Sequence, residues 1–110
     1  MLIELKKARM AICYYNLLML LEFDDAKNAK NVVERDLSFE QANEFDFSTA
    51  IVATDDRKAY PEVRYVALGL IDARVHVLCF TPIKGGIRVI SFRKANSREI
   101  KTYEQARTTD

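Results

Sequence analysis

The order of hydrophobic and polar residues divides the chain into a helical first half and a strand-rich second half. The run "LLEF", at residues 20–23, is short and apolar, which is typical of a strand. Asp24 or Asp25 can then cap a helix. One side of that helix carries the apolar residues Ala26, Ala29, Val32 and Val33. The pattern therefore predicts an amphipathic helix directly after the first strand.

A second helix is predicted in "DLSFEQANEFDF". Ser38 is followed three residues later by Gln41, which is the spacing of a capping box. Phe39, Ala42 and Phe45 share one face of such a helix, so it is also predicted to be amphipathic.

After Ser48 the hydrophobic period changes to two residues, which indicates strands. The predicted strands are "AIVATDD", "EVRYVALGLI", "RVHVLCFT" and "IRVISFRK", and "PIKGG" supplies a turn before the last of them. A final helix follows in "ANSREIKTYEQAR", with Asn96 or Ser97 as its cap. The resulting order, β-α-α-β-β-β-β-α, predicts an α+β fold in which helices pack mainly on one face of an antiparallel sheet.

The composition is that of one globular domain. The 110 residues are 49% hydrophobic and 30% charged, unlike a disordered chain. Residues 1–18 have a basic start and an apolar run, yet no cleavage site follows them and the run is too short for a membrane span. We interpret them as an N-terminal extension upstream of a natural start at Met19, rather than as a functional segment. Residues 19–110 then form the predicted domain.

The net charge of +1 hides an uneven distribution. Residues 22–62 carry 11 acidic and 5 basic side chains, whereas residues 63–110 carry 9 basic and 4 acidic ones. A basic second half suits a polyanion or an acidic protein partner.

Several kinds of site are excluded by their missing motifs. The chain has no glycine-rich nucleotide loop, no zinc-protease motif and no paired CxxC. His76 is the only histidine, so a multi-histidine metal site cannot be built. Cys13 and Cys79 lie in apolar runs without metal-ligand spacing, which predicts buried thiols. We therefore expect no metal and no cofactor, and a reduced cytoplasmic setting without membrane contact.

Arginines on neighbouring predicted strands are the strongest candidates for chemistry. Arg64, Arg88 and Arg93 lie on strands that hairpins place side by side, and Lys94 and Arg98 follow around the start of the last helix. Arginine forks match phosphate oxygens, and several together can stabilise a pentavalent phosphorus transition state. Strict alternation puts Arg88 and Arg93 on opposite faces of the sheet, unless a bulge or the strand end redirects one of them.

Several of these residues also have a structural interpretation. The arginines could be rim cations whose partners are Glu62, Glu99 or Glu104. Glu62 is either a general base or the salt-bridge partner of Arg64. His76 is either a proton donor or a hydrogen-bonded histidine within the sheet.

Three residues of the predicted helices are further candidates. Tyr103 could stack on a base or could pack the last helix against the sheet. Lys27 and Asn31 are four residues apart and share one helix face. A solvated lysine needs no partner there, whereas an asparagine at a helix–sheet boundary is expected to be hydrogen-bonded.

Three stretches give the chain a resemblance to a known family. They are "EFDDAKNAKN…LSFEQANEFDF", "EVRYVALG" and "IRVISFRKANSREIKTYE". Together and in this order, over residues 20–107, they resemble the BrnT family of bacterial toxins, which belongs to the RelE-like ribonuclease toxin group. Arg35 and Asp36 depart from the His-Gly pair that many members of this family carry.

The resemblance implies a RelE-like fold and metal-independent RNA cleavage that inhibits translation and growth. It also implies a cognate BrnA-like antitoxin that neutralises the toxin in a hetero-oligomer and carries the DNA-binding domain, so that operator DNA is contacted only through the antitoxin. The positions that match the family motifs are Lys27, Asn31, Arg64, Arg88, Arg93, Lys94, Glu99 and Tyr103.

Residues and resemblance together predict a ribonuclease toxin. The expected catalytic residues are Lys27, Glu62, Arg64 and Arg93. The expected RNA-binding residues are Arg88, Lys94, Arg98 and Tyr103. Asn31, His76 and Glu99 are expected to support them, Asn31 in a structural role. The alternative is a non-catalytic, toxin-like module that docks an antitoxin and acts in repression of its own operon.

Overall fold

The computed structural model describes residues 20–108, so the predictions for residues 1–18 and for Cys13 lie outside the described residues. The strands are β1 (Leu20–Glu22), β2 (Ile51–Thr54), β3 (Tyr65–Ile71), β4 (Arg74–Ile83) and β5 (Gly86–Lys94). The helices are α1 (Asp25–Arg35) and α2 (Ser97–Thr108), with 3₁₀ helices at Phe39–Glu44 and Phe47–Thr49. The α+β class is therefore confirmed. No helix within residues 20–108 is both long enough and apolar enough to cross a lipid bilayer.

The strands form one mixed sheet in the order β1-β5-β4-β3-β2. β2 to β5 pair antiparallel in sequence order, whereas β1 pairs parallel to β5, with Leu21 opposite Ile87. The prediction of an entirely antiparallel sheet is thus wrong at one edge. Tight turns join β3 to β4 and β4 to β5, so these neighbouring strands must run antiparallel. β1 is followed by α1 and a long connection, so no turn fixes its direction relative to β5.

Both faces of the sheet are covered, although helices were predicted mainly on one. On the first face, Tyr65, Phe80 and Phe92 pack in a core with the aromatic residues of the 3₁₀ segments. On the second face, Tyr103 of α2 packs on Val77 and its neighbours. The reason is visible in β4, where residues 75–81 are buried on both sides of the strand. A strand that is apolar on both sides needs cover on both faces.

The second predicted helix forms, but as 3₁₀ turns instead of an α-helix. Its capping box is confirmed, since the Ser38 N–H donates to Gln41 Oε1 at 3.0 Å and the Ser38 side chain caps the first turn. Phe39, Ala42 and Phe45 are all buried. Residues spaced by three stack on one line in a helix with three residues per turn, so the 3₁₀ form directs all of them into the core.

α1 is held to the body by polar contacts and not by the predicted apolar side. Val33 is 85% exposed and Val32 is 41% exposed, so the expectation of a packed apolar face is wrong. Asn31 is buried instead, and its Nδ2 donates to the carbonyls of Leu37 and Phe92, both at 2.9 Å. Its Nδ2 thereby connects α1 to the 3₁₀ segment and to β5, and this is the structural role expected for it.

The change Asn31→Asp removes both donors while it preserves the shape of the side chain. Two buried carbonyls then face a carboxylate, and we expect the free energy of unfolding to fall by about 2–4 kcal/mol. Urea denaturation measures the change. Asn43→Asp, the same change at an exposed position, is the control and is expected to stay within about 0.5 kcal/mol of the parent. Equal midpoints for the two variants would contradict the role of Asn31.

Candidate functional site

A bulge in β5 places two of the predicted arginines on the same face of the sheet. The pairing of β4 with β5 shifts register between Cys79 and Phe80, so Ile90 has no residue opposite it. One extra residue reverses the alternation of faces for the rest of the strand. Arg88 and Arg93 therefore lie on the same face. This is the exception to strict alternation that the sequence left open.

Two more arginines lie on that face or beside it. Arg64 precedes Tyr65, whose side chain is in the first core, so Arg64 points to the opposite face. Arg57 follows β2 on the adjoining loop. The bond to Glu99 raises the pKa of Arg93, and the positive charge of Arg57 lies close enough to oppose that rise slightly. We call these residues the arginine face: Arg57, Arg64, Arg88 and Arg93. The surface between these arginines is formed by the side chains of Cys79 and Thr81 from β4 and of Ser91 from β5.

Asp55 fixes the position of Arg57. Its carboxylate is buried and accepts two bonds from Arg57, Nε to Oδ1 and Nη2 to Oδ2, both at 2.8 Å. This bidentate contact holds the pKa of Asp55 well below its usual range, because the guanidinium donates to the charged form. The Asp55 N–H donates to the Arg64 carbonyl at 2.8 Å, which joins this pair to the start of β3. Cys79 Sγ lies 3.6 Å from Asp55 Oδ2.

Arg64 is the least exposed arginine of this cluster, but both of its terminal nitrogens lack hydrogen-bond partners within residues 20–108. Its Nε donates to Glu62 Oε1 at 2.7 Å, and this bond raises the pKa of Arg64. Its Cζ lies 4.0 Å from the centre of the Tyr60 ring, a cation–π contact that orients the fork. Its two terminal nitrogens have no hydrogen bond to another residue in the described part of the chain. They can therefore donate to an anion without breaking an existing bond.

Arg93 is more fully engaged. Its Nη1 and Nη2 donate to the two carboxylate oxygens of Glu99, each at 2.8 Å. The same bonds lower the pKa of Glu99, whose Oε1 also accepts the Asn96 N–H at 2.9 Å. Arg93 thereby ties the end of β5 to the first turn of α2. Glu99 is its ion-pair partner, one of the two interpretations that the sequence allowed.

Arg88 forms an exposed pair with β1. Its Nε donates to Glu22 Oε1 at 2.6 Å, and both side chains are about half exposed. Exposed ion pairs such as Arg88–Glu22 are weak, and the carboxylate exchanges readily for another anion.

Lys94 and Arg98 are exposed near the start of α2. Lys94 follows Arg93 on the strand, so its side chain points to the other side of the sheet.

The remaining predicted residues lie apart from the arginine face. His76 is buried on the opposite side, 5.7 Å from the Phe92 ring, and its Nδ1 lies 2.8 Å from the Arg74 carbonyl oxygen. Burial lowers the pKa of His76, so the ring is neutral at pH 7. Tyr103 is buried in the second core, which matches its packing interpretation. Lys27 is exposed on α1, at a cleft of about 170 Å³ that Asn31 also lines.

The structure therefore brings together only part of the predicted set. One face of the sheet carries Glu62, Arg64, Arg88, Arg93 and Glu99. Arg98 lies close enough to Glu99 for its positive charge to help Arg93 lower the pKa of that carboxyl. Sequence reasoning missed Asp55, Arg57 and Tyr60. The available signal was "DDRKAYPEVR", in which an arginine and a tyrosine follow the acidic turn and precede Glu62 and Arg64.

Comparison with protein families places the chain among the toxins. Residues 23–99 match the family model described as the ribonuclease toxin BrnT of type II toxin–antitoxin systems, and this match covers more than half of the chain. The chain belongs to the BrnT family. A search among the curated proteins found no match to it.

The BrnT match contains all four residues of the arginine face and most of their partners. It begins one residue after Glu22, the partner of Arg88, and it ends at Glu99, the partner of Arg93. Among the residues from 20 to 108, no group of three or more His, Cys, Asp or Glu side chains is arranged to hold a metal ion.

The pair of Asp55 with Arg57 predicts a pH-dependent stability. Because folding lowers the pKa of Asp55, the ionised form stabilises the fold above the usual aspartate pKa of about 4, and this contribution is lost as the pH falls further. The change Asp55→Asn should lower the melting temperature at pH 7 and lower it less at pH 3. Thermal melting across this pH range measures both values. The exposed neighbour Asp56→Asn should melt like the parent throughout, and a pH-independent loss in Asp55→Asn would contradict the account.

Proposed function

We propose that this BrnT chain is a toxin that cleaves RNA by metal-independent attack of a substrate 2′-hydroxyl on the adjacent phosphate. The products are a 2′,3′-cyclic phosphate and a free 5′-hydroxyl. The observation that carries the proposal is the convergence of Arg57, Arg64, Arg88 and Arg93 on one face of the sheet. Guanidinium groups bind phosphate oxygens in pairs and stabilise the charge that develops on them during the reaction.

The arginines take different roles in this proposal. Arg64 contacts the reacting phosphate, because its two terminal nitrogens are free and Tyr60 orients its fork. Arg93 is held by Glu99 and contributes its charge to the transition state from a fixed position. Arg88 contacts the same phosphate from β5, and Arg57, the most exposed of the four, binds a phosphate beside it.

Glu62 is the proposed general base. It lies beside Arg64, and only its Oε1 is used in the 2.7 Å bond, so Oε2 remains able to accept the 2′-hydroxyl proton. Lys27 was among the expected catalytic residues, but it is exposed on α1 at a separate cleft, so the proposed mechanism assigns it no step. His76 is neutral and on the other side of the sheet, so the proposed mechanism assigns it no proton transfer.

A second candidate function is a non-catalytic module that docks an antitoxin. One observation favours it: every residue of the arginine face already binds a carboxylate of the chain itself. Acidic side chains of a partner could replace the two more exposed of these carboxylates, those of Glu22 and Glu62, in the same geometry. Membership of a type II family implies an antitoxin partner. We propose that this partner is a BrnA-like antitoxin, that the two form a cytoplasmic hetero-oligomer, and that operator DNA is bound only through the antitoxin.

The change Arg64→Ala tests the catalytic proposal. Loss of one group that stabilises the transition-state charge should lower the rate of RNA cleavage about 10²- to 10³-fold. The measurement is the incubation of purified protein with total RNA in EDTA, followed over time. Lys101→Ala, which removes an exposed cation on α2, is the matched control and should cleave like the parent. Tight binding of RNA without cleavage by the parent would favour the docking module instead.

Arg93→Ala and Glu99→Gln together separate the charge of Arg93 from its bond to α2. Both changes weaken the same ion pair, but only the first removes the cation. We expect Arg93→Ala to lose growth arrest and about 10²-fold in cleavage, while Glu99→Gln keeps cleavage within about fivefold of the parent. Growth on induction and cleavage in EDTA measure the outcome. Cleavage by Arg93→Ala at the parental rate would remove Arg93 from the mechanism.

A further inference from the structure

Thr81 carries a buried hydroxyl without a partner. The residue is 7% exposed, and its Oγ1 makes no hydrogen bond to any residue between 20 and 108. Buried polar groups are almost always bonded, so such an exception calls for an explanation. A valine would fill the same place in a strand without leaving a hydroxyl unpaired.

The sheet register places this hydroxyl between two members of the arginine face. Phe80 points into the first core, so Thr81 points to the other face. Arg88 is its direct neighbour on β5, and the pairing of Tyr65 with Phe80 brings Arg64 beside it on the side of β3. Adjacent strands lie about 4.8 Å apart, so both guanidiniums can reach one anion above Thr81.

Both arginines can donate to an added anion. The Arg88–Glu22 pair is exposed, at 48% and 49%, and such pairs contribute little net stability, so a phosphate can replace Glu22. Arg64 keeps Glu62 on its Nε, and its two terminal nitrogens can donate to the same phosphate. Because the Thr81 hydroxyl is buried in the free chain, its contact with the phosphate requires the side chains that bury it to move.

We propose that Thr81 Oγ1 is the floor of a phosphate subsite, where it donates a hydrogen bond to a non-bridging oxygen of the RNA backbone held between Arg64 and Arg88. The subsite rests on the proposed function for the identity of its ligand, an RNA phosphodiester. It adds a hydrogen-bond donor that carries no charge. Binding of RNA then replaces the Glu22 carboxylate on Arg88 by a phosphate, Glu62 stays on the Nε of Arg64, and the Thr81 hydroxyl gains the partner that it lacks in the free chain.

The test compares Thr81→Val, which removes only the hydroxyl, with Thr81→Ser, which retains it. The control is Thr54→Val, the same change on the exposed end of β2. Each protein is assayed for cleavage of total RNA in EDTA. Each is also titrated against a labelled 2′-O-methyl RNA of mixed sequence, which binds but cannot undergo 2′-hydroxyl attack. Thermal melting of each protein reports on the fold.

Loss of one hydrogen bond to a charged oxygen corresponds to about a tenfold effect. We expect Thr81→Val to bind the 2′-O-methyl RNA about tenfold more weakly and to melt no lower than the parent. Thr81→Ser should recover binding to within about threefold, and Thr54→Val should match the parent. Parental binding by Thr81→Val, or a clear fall in its melting temperature, would overturn the subsite. If the parent cleaves no RNA, the proposed function fails, but the binding titration still decides the subsite.

Discussion

The bulge at Ile90 is the constraint on which the arrangement of charge in this protein depends. β5 must bury Ile87, Val89 and Phe92 in the same core, and this spacing cannot be met by strict alternation. One extra residue solves the packing problem, and it also brings Arg88 to the face that Arg93 occupies. A requirement of the core thus creates a charged surface on the other side of the sheet.

Carboxylates hold the arginines of that surface in two ways. Asp55 is buried and binds Arg57 with two bonds, and Glu99 binds Arg93 likewise, so these two arginines have fixed positions. Arg88 is held by the exposed Glu22 through Nε and Nη2, and Arg64 is held by Glu62 through Nε alone. The two-bond carboxylates fix Arg57 and Arg93 in place, whereas Arg64 and Arg88 can donate to a phosphate or to an acidic side chain of a partner. The same face therefore suits both RNA and an acidic antitoxin.

Much of the fold could be predicted from local patterns, and the errors have physical causes. Alternation identified β3, and the Ser38 capping box identified the start of the second helix, because both depend on neighbouring residues alone. The hydrogen bonding of Asn31 was expected, but its partner, the Phe92 carbonyl, could not be predicted because it lies far along the chain. The exposure of Val33 was missed because polar contacts, and not the apolar side, hold α1 in place. Arg64 was found from its strand, but Asp55 was not, because its contact with Arg57 forms in a loop without a periodic pattern.

The central claim is that RNA binds to the arginine face, and NMR of arginine Nε–H groups tests it most directly. The titrant is an RNA with 2′-O-methyl groups. The account predicts that the signals of Arg64 and Arg88 shift most, while Arg35, which bonds to Asn31 on α1, keeps its position. Shifts confined to α1, with Arg64 and Arg88 unchanged, would contradict the account and place the RNA at the α1 cleft.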